Sequence, residues 1–355
     1  MSIFLLPQDQ KAESALKGRI EKLAGVSVES LQRLGGGLNS RVFVAGTSDG
    51  SRILAKVYFS SSRDPRDRLG TEYRALTFLW NAGLRCVSRP VAVDYKQGLA
   101  LYEFINGIPM NTVEADEQDI DDCLDFFQRL KLINGTPQAE EFGPASEACF
   151  SLKALIENIQ GRCDRLLACK PDTPVGREMR AFLNKEFIPF FRKLTGRVRR
   201  ESAPLGLRFD QEIAPEARTL SPSDFGFHNA LCDEQGKTVF VDFEYFGWDD
   251  PVKTISDFCL HPAMTLTGTL KERFRNGMLK IFADVPALPQ RVERVYPLYG
   301  LKWCMIFLNE FVRQDLERRR FAGPVPVADE TRQREQLEKA RAMLERSQTE
   351  RIIIP

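Results

Sequence analysis

Three polar residues on two neighbouring segments carry the most specific chemical signal in this sequence. Asp224 and Asn229 lie in the segment DFGFHN, and Asp242 follows thirteen residues after Asn229. A carboxylate can orient a hydroxyl and accept its proton, while an amide and a second carboxylate can hold Mg²⁺ on the phosphates of ATP. The short apolar run Thr238–Val241 predicts a strand that delivers Asp242 at its end. This combination predicts a site for phosphoryl transfer.

A glycine-rich turn near the start of the sequence predicts a second part of this site. It separates an extended pattern that ends at Leu34 from another that begins at Arg41. Successive glycines let backbone N–H groups approach phosphate oxygens without a side chain in the way. A glycine-rich hairpin alone is more often only a turn, so the signal depends on the strand that follows. The candidate nucleotide-binding residues of the turn are Gly35, Gly36, Gly37, Asn39 and Ser40.

The strand predicted over Arg52–Tyr58 contains a single lysine, Lys56, among apolar residues. A lysine buried in a strand is costly without an anionic partner, which in kinases is a pair of phosphates and a helical glutamate. Apolar residues at three- and four-residue steps predict a helix over 66–80 that carries Glu72. We therefore expect Lys56 and Glu72 to lie within salt-bridge distance, about 4 Å. The alternative is an edge-strand lysine and a solvated glutamate.

Two segments of the sequence resemble the aminoglycoside phosphotransferase and choline kinase family. Residues 220–231 (LSPSDFGFHNAL) match its catalytic loop, and residues 239–251 (VFVDFEYFGWDDP) match its metal-binding strand and the turn that follows. Asp257 matches a further family aspartate. The resemblance implies an α+β, two-lobed protein-kinase-like fold, with a small antiparallel β-sheet N-lobe that has one main helix, and a larger, mostly helical C-lobe. The expected lobes are residues 1–105 and 106–355.

The resemblance also assigns chemical roles to the candidate residues. Asp224 would be the catalytic base, and Asn229 and Asp242 would be the metal ligands. Lys56, fixed by Glu72, would hold the α- and β-phosphates of the nucleotide. The sequence therefore indicates an ATP- and Mg²⁺-dependent kinase that acts on a hydroxyl of a small molecule, such as an aminoglycoside, an amino alcohol like choline, or a sugar.

One departure from the family pattern bears on the activity. The family usually has His-Gly directly before the catalytic aspartate, where this chain has Pro222 and Ser223. In related folds that histidine supports the loop through hydrogen bonds and takes no part in transfer. The departure leaves open a rival function, in which the chain is a nucleotide-binding pseudokinase that regulates a partner.

The resemblance places the adenine-binding hinge in residues 98–107. There the backbone groups of Glu103 and Ile105 would bind the base. The alternative is an ordinary buried strand that ends at a glycine.

Glu244 and Trp248 are candidates for binding the acceptor. Glu244 lies two residues beyond Asp242, so both side chains point the same way on an extended segment. An aromatic ring can hold the cation of an amine acceptor. The alternatives are that Glu244 is a second metal ligand and that Trp248, like Trp303, belongs to the C-lobe core.

The composition argues against several other classes of protein. The 355 residues carry a formal net charge of +1, which gives no general attraction to nucleic acid or membranes. The eight cysteines form no Cys-x-x-Cys pair, and with only two histidines a zinc site is not expected. Scattered free thiols fit a cytoplasmic protein. We expect a small-molecule acceptor as partner, and a monomer or homodimer.

Hydrophobic periodicity predicts the other helices of the chain. They are expected at residues 10–23, 116–132, 149–169, 175–194, 252–260, 269–282, 298–318 and 329–348. In the last of these helices, Leu337, Ala340 and Leu344 are expected to pack inward.

Overall fold

A computed structural model describes residues 7–35, 40–59, 66–110, 112–205, 208–312 and 330–350. Their contacts divide them into two compact units. The first contains the described residues of Met1–Ile108 and the segment Ala230–Tyr245. The second contains Pro109–Asn229 and Phe246–Leu316 as far as they are described, and residues 330–350.

The first unit is built on a five-stranded antiparallel sheet with the order β1-β2-β3-β5-β4. Its strands are β1 (Val28–Leu34), β2 (Ser40–Thr47), β3 (Arg52–Tyr58), β4 (Pro90–Asp94) and β5 (Leu99–Glu103), and its helices are α1 (Pro7–Ala24) and α2 (Arg68–Asn81). A smaller sheet joins β6 (Gly107–Pro109), β8 (Ala230–Asp233) and β9 (Thr238–Phe240). The strands predicted around the glycine turn and around Lys56 are confirmed.

Alternation along the strands explains how this sheet forms its core. Successive side chains of a strand point to opposite faces, so every second residue can be buried against a helix. Ala45, Ile53, Ala55, Leu99 and Leu101 pack against Leu16 and Ile20 of α1. Lys56 lies at the centre of the sheet, because it pairs with Val42 on one side and Ala100 on the other.

The second unit is mostly helical. Its helices are α3 (Glu117–Ile133), α4 (Pro137–Glu140), α5 (Leu152–Ala168), α6 (Pro174–Phe182), α7 (Ile188–Ser202), α8 (Pro251–Leu260), α9 (Gly268–Ile281), α10 (Leu288–Phe307) and α11 (Glu330–Thr349). Two short strands, β7 (Thr219–Ser221) and β10 (Gly247–Asp249), pair antiparallel. As predicted, Leu337, Ala340 and Leu344 of α11 are buried.

Three of the predicted helix boundaries are wrong. The helix expected to end at residue 318 ends at Phe307, where a 3₁₀ segment, Leu308–Phe311, follows. The helix expected to begin at residue 298 begins ten residues earlier, at Leu288, and contains Pro297 in its interior. A proline usually ends a helical pattern, and the prediction therefore started after it. The helix expected to end at residue 194 continues through a π-helical segment, Leu183–Phe187, into α7, which ends at Ser202.

Within the described residues, no helix is both long and apolar enough to span a membrane.

Candidate active site

In the first unit, Lys56 lies between two carboxylates. Its Nζ is 2.6 Å from Oε2 of Glu72 on α2 and 2.7 Å from Oδ1 of Asp242, which follows β9. Burial lowers the pKa of Lys56, but the charges of Asp242 and Glu72 outweigh burial and hold the pKa well above its ordinary value. The predicted ion pair with Glu72 is confirmed, and the ammonium group is charged at neutral pH.

Glu72 is fixed by a buried chain of hydroxyl groups. The hydroxyl of Tyr58 donates to Oε2 of Glu72 at 2.7 Å and lies 2.8 Å from the hydroxyl of Tyr102. All three residues are buried. A buried carboxylate needs hydrogen bonds as well as a counter-ion. The hydroxyl groups of Tyr58 and Tyr102 therefore allow Glu72 to remain inside the unit and to orient Lys56.

Asp242 is presented by a backbone conformation that is unusual for its residue type. Its φ is 66°, in the left-handed region that favours glycine, and 40% of its side chain is exposed. The strand before it is anchored in the same unit, since the N–H of Phe240 donates to the carbonyl of Cys86 at 2.8 Å. Strained backbone of this kind persists where the surroundings impose it, often at functional sites.

Glu244 lies deeper in the unit than the sequence pattern suggested. It is buried, 3.6 Å from Nε of Arg68, and burial together with the charge of Asp242 raises its pKa to about 7. Carboxylate oxygens of Glu72, Asp242 and Glu244 lie within 4.8 Å of one another. Such a set of hard oxygen donors fits Mg²⁺, and the exposed part of Asp242 offers it access.

The other nucleotide-binding candidates of the first unit lie at the ends of strands. Gly35 follows β1 and Ser40 begins β2, while Gly36, Gly37 and Asn39 lie outside the described residues. At the predicted hinge, Glu103 donates its N–H to the carbonyl of Arg89, and its own carbonyl accepts from the hydroxyl of Ser88. That carbonyl keeps one lone pair for a base, and Ile105 follows in irregular backbone.

In the second unit, two phenylalanines hold the loop that carries Asp224. The ring of Phe225 stacks on Phe126 of α3 at 5.4 Å, and the ring of Phe227 meets Phe258 of α8 edge to face at 6.1 Å. The side-chain amide of Asn229 donates to the carbonyl of Asp224 at 2.9 Å. Two buried aromatic residues, Phe225 and Phe227, thus anchor the segment between Asp224 and Asn229, while the side chain of Asp224 remains 41% exposed.

Ser223 explains how the loop tolerates the departure from the family pattern. Its φ is 70°, a conformation that glycine adopts without strain, which accounts for the usual glycine at this position. Its hydroxyl donates to the carbonyl of Ser146 at 2.7 Å and accepts from Nζ of Lys253 at 3.0 Å. Lys253 also donates to the carbonyl of Ser223. Together with the N–H of Ser223, which donates to the hydroxyl of Ser221 at 3.0 Å, these hydrogen bonds fix the residue that precedes Asp224.

Lys253 is itself neutralised by one carboxylate at the end of β10 and one on its own helix, α8. It lies 3.2 Å from Asp249 and 3.1 Å from Asp257, the residues four positions before and after it. Burial lowers the pKa of Lys253, but these two carboxylates outweigh burial and raise it. Asp250 caps the N-terminus of α8 by accepting from the N–H of Val252. Asp250 and Asp257 thus brace the start of α8 and the side chain of Lys253.

Two imidazole rings converge on the carboxylate of Asp224. Nε2 of His228 is 3.0 Å and Nε2 of His261 is 3.7 Å from Oδ1 of Asp224. Burial would raise the pKa of Asp224, but the hydrogen bond and electrostatic effect of His228, with smaller effects of His261 and Lys253, lower it to about 2. Asp224 is therefore ionised at neutral pH and can accept a hydrogen bond from a hydroxyl.

The two tryptophans considered for the acceptor occupy different surroundings. The indole N–H of Trp248 donates to the carbonyl of Ala139, and Trp248 lines a cavity together with Phe142. The indole N–H of Trp303 donates to Asp257 at 3.0 Å, and its ring meets His261 edge to face at 4.7 Å. Trp303, rather than the predicted Trp248, is thereby joined to the residues around Asp224.

Sequence reasoning missed Lys253 and gave His261 no role. Lys253 lies among buried residues of α8, and like Lys56 it is a buried lysine that requires anionic partners. No local pattern pointed to His261, because it is joined to Asp224 only through tertiary packing.

Comparison with known proteins agrees with this architecture. A model of the phosphotransferase enzyme family, APH, matches residues 30–292. None of the curated protein sequences matches the chain.

Several solved structures are similar over nearly the whole chain. Choline kinase LicA from Streptococcus pneumoniae is 16% identical, with a TM-score of 0.59 over 94% of this chain and 99% of its own. A choline/ethanolamine kinase family protein from Mesorhizobium loti is 17% identical, with a TM-score of 0.58 over 95% of each chain. Spectinomycin phosphotransferase APH(9)-Ia, solved with ADP and spectinomycin, is 12% identical, with a TM-score of 0.60 over 93% and 98%. At these identities the likeness establishes the protein-kinase-like fold.

Proposed function

The chain belongs to the phosphotransferase enzyme family, and from this premise we propose that it transfers the γ-phosphoryl group of ATP to a hydroxyl of a small molecule with the help of Mg²⁺. The observation that carries the proposal is the position of Lys56 between Glu72 and Asp242. A fully buried ammonium held by two acids is the arrangement that kinases use to place nucleotide phosphates. Structural ion pairs alone would not require a strained, partly exposed Asp242.

Each candidate residue has a distinct task in this proposal. Lys56, oriented by Glu72, binds the α- and β-phosphates. Asp242 and Asn229 hold Mg²⁺, which when bound neutralises charge that develops on the phosphates. Asp224 orients the acceptor hydroxyl; as the acceptor oxygen bonds to the γ-phosphorus and the bond to ADP breaks, Asp224 takes up the hydroxyl proton.

The glycine turn and the hinge complete nucleotide binding. Backbone N–H groups of residues 35–40 would contact the phosphates, and the backbone of Glu103 and Ile105 would bind adenine. The solved relatives act on choline and on spectinomycin by their titles, so amino alcohols, aminoglycosides and sugars are the acceptor classes that we propose to test first.

A screen of small-molecule hydroxyl compounds tests the proposal. The purified chain, ATP and Mg²⁺ are incubated with a metabolite library, and products are detected by mass as phosphoryl adducts. Asp224→Asn should lower turnover by roughly 10²–10⁴-fold and keep ATP binding, while the exposed Asp210→Asn should change neither. Nucleotide binding with no transfer to any compound, equal in all three proteins, would favour the pseudokinase instead.

A further inference from the structure

We propose that His228 and His261 form a stacked imidazole clamp on Oδ1 of Asp224, in which His228 donates a hydrogen bond at 3.0 Å and His261 adds an electrostatic contact at 3.7 Å, so that Oδ2 is the atom that receives the acceptor proton. The two rings are nearly parallel, with centroids 3.8 Å apart and planes 6° apart. Both direct Nε2 at the same carboxylate oxygen. The inference rests on the proposed function and assigns positioning residues for it.

The tautomer of His261 follows from its backbone contact. The N–H of Ala263 donates to Nδ1 of His261 at 3.2 Å, so Nδ1 must carry a lone pair. Burial and the neighbouring His228 lower the pKa of His261 to about 4, and the neutral ring therefore carries its proton on Nε2. His261 thus points an N–H at Oδ1 of Asp224.

The surroundings of His228 favour the same tautomer. Its Nδ1 is buried without a hydrogen-bond partner among the described residues, and a buried lone pair is less costly there than a buried N–H. The remaining proton on Nε2 is donated to Oδ1 of Asp224 at 3.0 Å. Two N–H groups therefore converge on one oxygen, and the other oxygen is engaged by neither imidazole.

The same tautomers argue against a metal site at these residues. Asp224, His228 and His261 form a group whose ligand atoms lie close enough to hold an ion. A metal at Nε2 of His261 would require the proton on Nδ1, directly facing the N–H of Ala263. The contact with Ala263 therefore specifies a hydrogen-bond donor in preference to a metal ligand.

Packing on both sides keeps the rings stacked. A Cβ at Gly226 would lie 2.9 Å from Nδ1 of His228 and 2.8 Å from Sδ of Met264, so the glycine makes room for the ring. On the other side, Trp303 meets His261 edge to face, and Asp257 accepts from its indole N–H. Asp257 pairs with Lys253, which holds Ser223.

This clamp supports Asp224 from residues that follow it in the sequence, whereas the family's usual histidine precedes the catalytic residue. Pro222 stands where that histidine would precede the catalytic residue, and a proline has neither an imidazole nor an N–H to donate. Here the support comes from His228, which lies four positions after Asp224, and from His261 at the end of α8. With Oδ1 fixed, rotation of the carboxylate is restricted, and Oδ2 is held toward the acceptor.

The first test separates hydrogen bonding from ring packing at His228. His228→Phe keeps an aromatic ring beside His261 and removes the N–H, whereas His228→Gln places an amide N–H near the position of Nε2. Using the acceptor found in the screen, we expect kcat to fall about tenfold to hundredfold in His228→Phe, the range for a lost hydrogen bond to a charged group, and to recover to within about threefold in His228→Gln. KM for ATP should change little in either variant. Equal losses of kcat in both variants would overturn the clamp.

The second test does not depend on activity. Because the chain has only two histidines, each ring can be assigned by ¹⁵N NMR of the wild type and of single variants. We expect the ring of His261 to carry its proton on Nε2, the ring of His228 to show an Nε2–H that is bonded to Asp224, and Asp224→Asn to shift both Nε2–H signals. A proton on Nδ1 of His261, or direct ligation of Zn²⁺ by both rings on titration with zinc alone, would overturn the inference. Failure to phosphorylate any acceptor with these NMR results intact would refute the proposed function and leave the geometry of the clamp standing.

Discussion

Lys56 is held inside the sheet by charge, and its removal should separate stability from activity. Lys56→Met fills most of the apolar stem volume, so the protein should fold, but Glu72 is left buried without its counter-ion. We expect ATP-dependent turnover to fall at least tenfold, together with a loss of stability. Adding Glu72→Gln to Lys56→Met should recover stability and leave turnover low, as urea unfolding and a kinetic assay would show. Normal turnover in the double variant would contradict the role of Lys56.

Asp242 and Glu244 differ in exposure, and this difference predicts which alanine substitution weakens Mg²⁺-dependent nucleotide binding more. Asp242 is partly exposed and contacts Lys56, while Glu244 is buried against Arg68. Asp242→Ala should therefore weaken Mg²⁺-dependent binding of a fluorescent ATP analogue more than Glu244→Ala does, as Mg²⁺ titrations of both proteins would measure. A larger loss for Glu244→Ala would reverse the assignment of the metal ligand, and equal losses would make both residues ligands.

At the scale of single residues, the sequence predicted those pairs that follow from buried charge. The partnership of Lys56 and Glu72 could be inferred because a lysine in an apolar strand needs an acid, and one helix offered it at a plausible separation. The second acid on Lys56 could not be inferred, since Asp242 is 186 positions away along the chain. The contacts of His261 and Trp303 around Asp224 also depend on tertiary packing alone.

At the scale of elements, the close approach of α3 and α9 supports the loop of Asp224. These helices contribute Phe126, Phe127 and Phe274 to the aromatic cluster around Phe225. Gly277 allows the approach, because a Cβ there would overlap both Cδ atoms of Leu124 and lie 3.0 Å from its Cγ.

Two glycine substitutions should therefore act in opposite directions on stability. Gly277→Ala gains helix propensity but must displace Leu124, and overpacking of this kind costs about 1–3 kcal/mol. Gly161→Ala, on the exposed side of α5 with nothing within 4 Å of its Cβ, should stabilise the protein by up to about 1 kcal/mol. Chemical denaturation of both variants measures the difference. Stabilisation by Gly277→Ala equal to that by Gly161→Ala would show that the two helices do not constrain each other there.

Most elements could be predicted because hydrophobic periodicity and turn residues agree with the tertiary structure. The β3 strand and the α8 helix match their expected ranges to within one residue at each end. The start of α10 could not be predicted, because burial on nearly all sides of the helix stabilises Pro297 in its interior against the local preference. The π-helical segment Leu183–Phe187 before α7 also depends on tertiary packing, since Leu183 and Phe187 are buried.

At the scale of the whole molecule, each compact unit contains segments that are not consecutive in the sequence. Residues 230–245 fall in the first unit, although they follow the loop of Asp224 in the sequence. The lobes expected at 1–105 and 106–355 remain a prediction. The membership of residues 230–245 in the first unit could not be predicted, because local patterns identify strands but not the sheet to which a strand belongs. It is the pairing of β8 with β6 and β9, together with the contact of Phe240 with Cys86, that joins Asp242 to Lys56.

Binding of nucleotide should stabilise the whole molecule in a way that depends on both Lys56 and the metal. A ligand that binds only the folded state adds about 2.7 kcal/mol at a concentration of 100 Kd, so ATP with Mg²⁺ should raise the unfolding temperature of the wild type. Asp224→Asn should keep this increase, since we propose that its carboxylate acts on the acceptor, while Lys56→Met should lose most of it. Removing Mg²⁺ with EDTA should lower the increase in wild type and in Asp224→Asn alike, because the proposed metal ligands, Asp242 and Asn229, are intact in both. Thermal unfolding with and without ATP measures all of these shifts. An increase that survives Lys56→Met unchanged would mean that the nucleotide binds elsewhere on the chain.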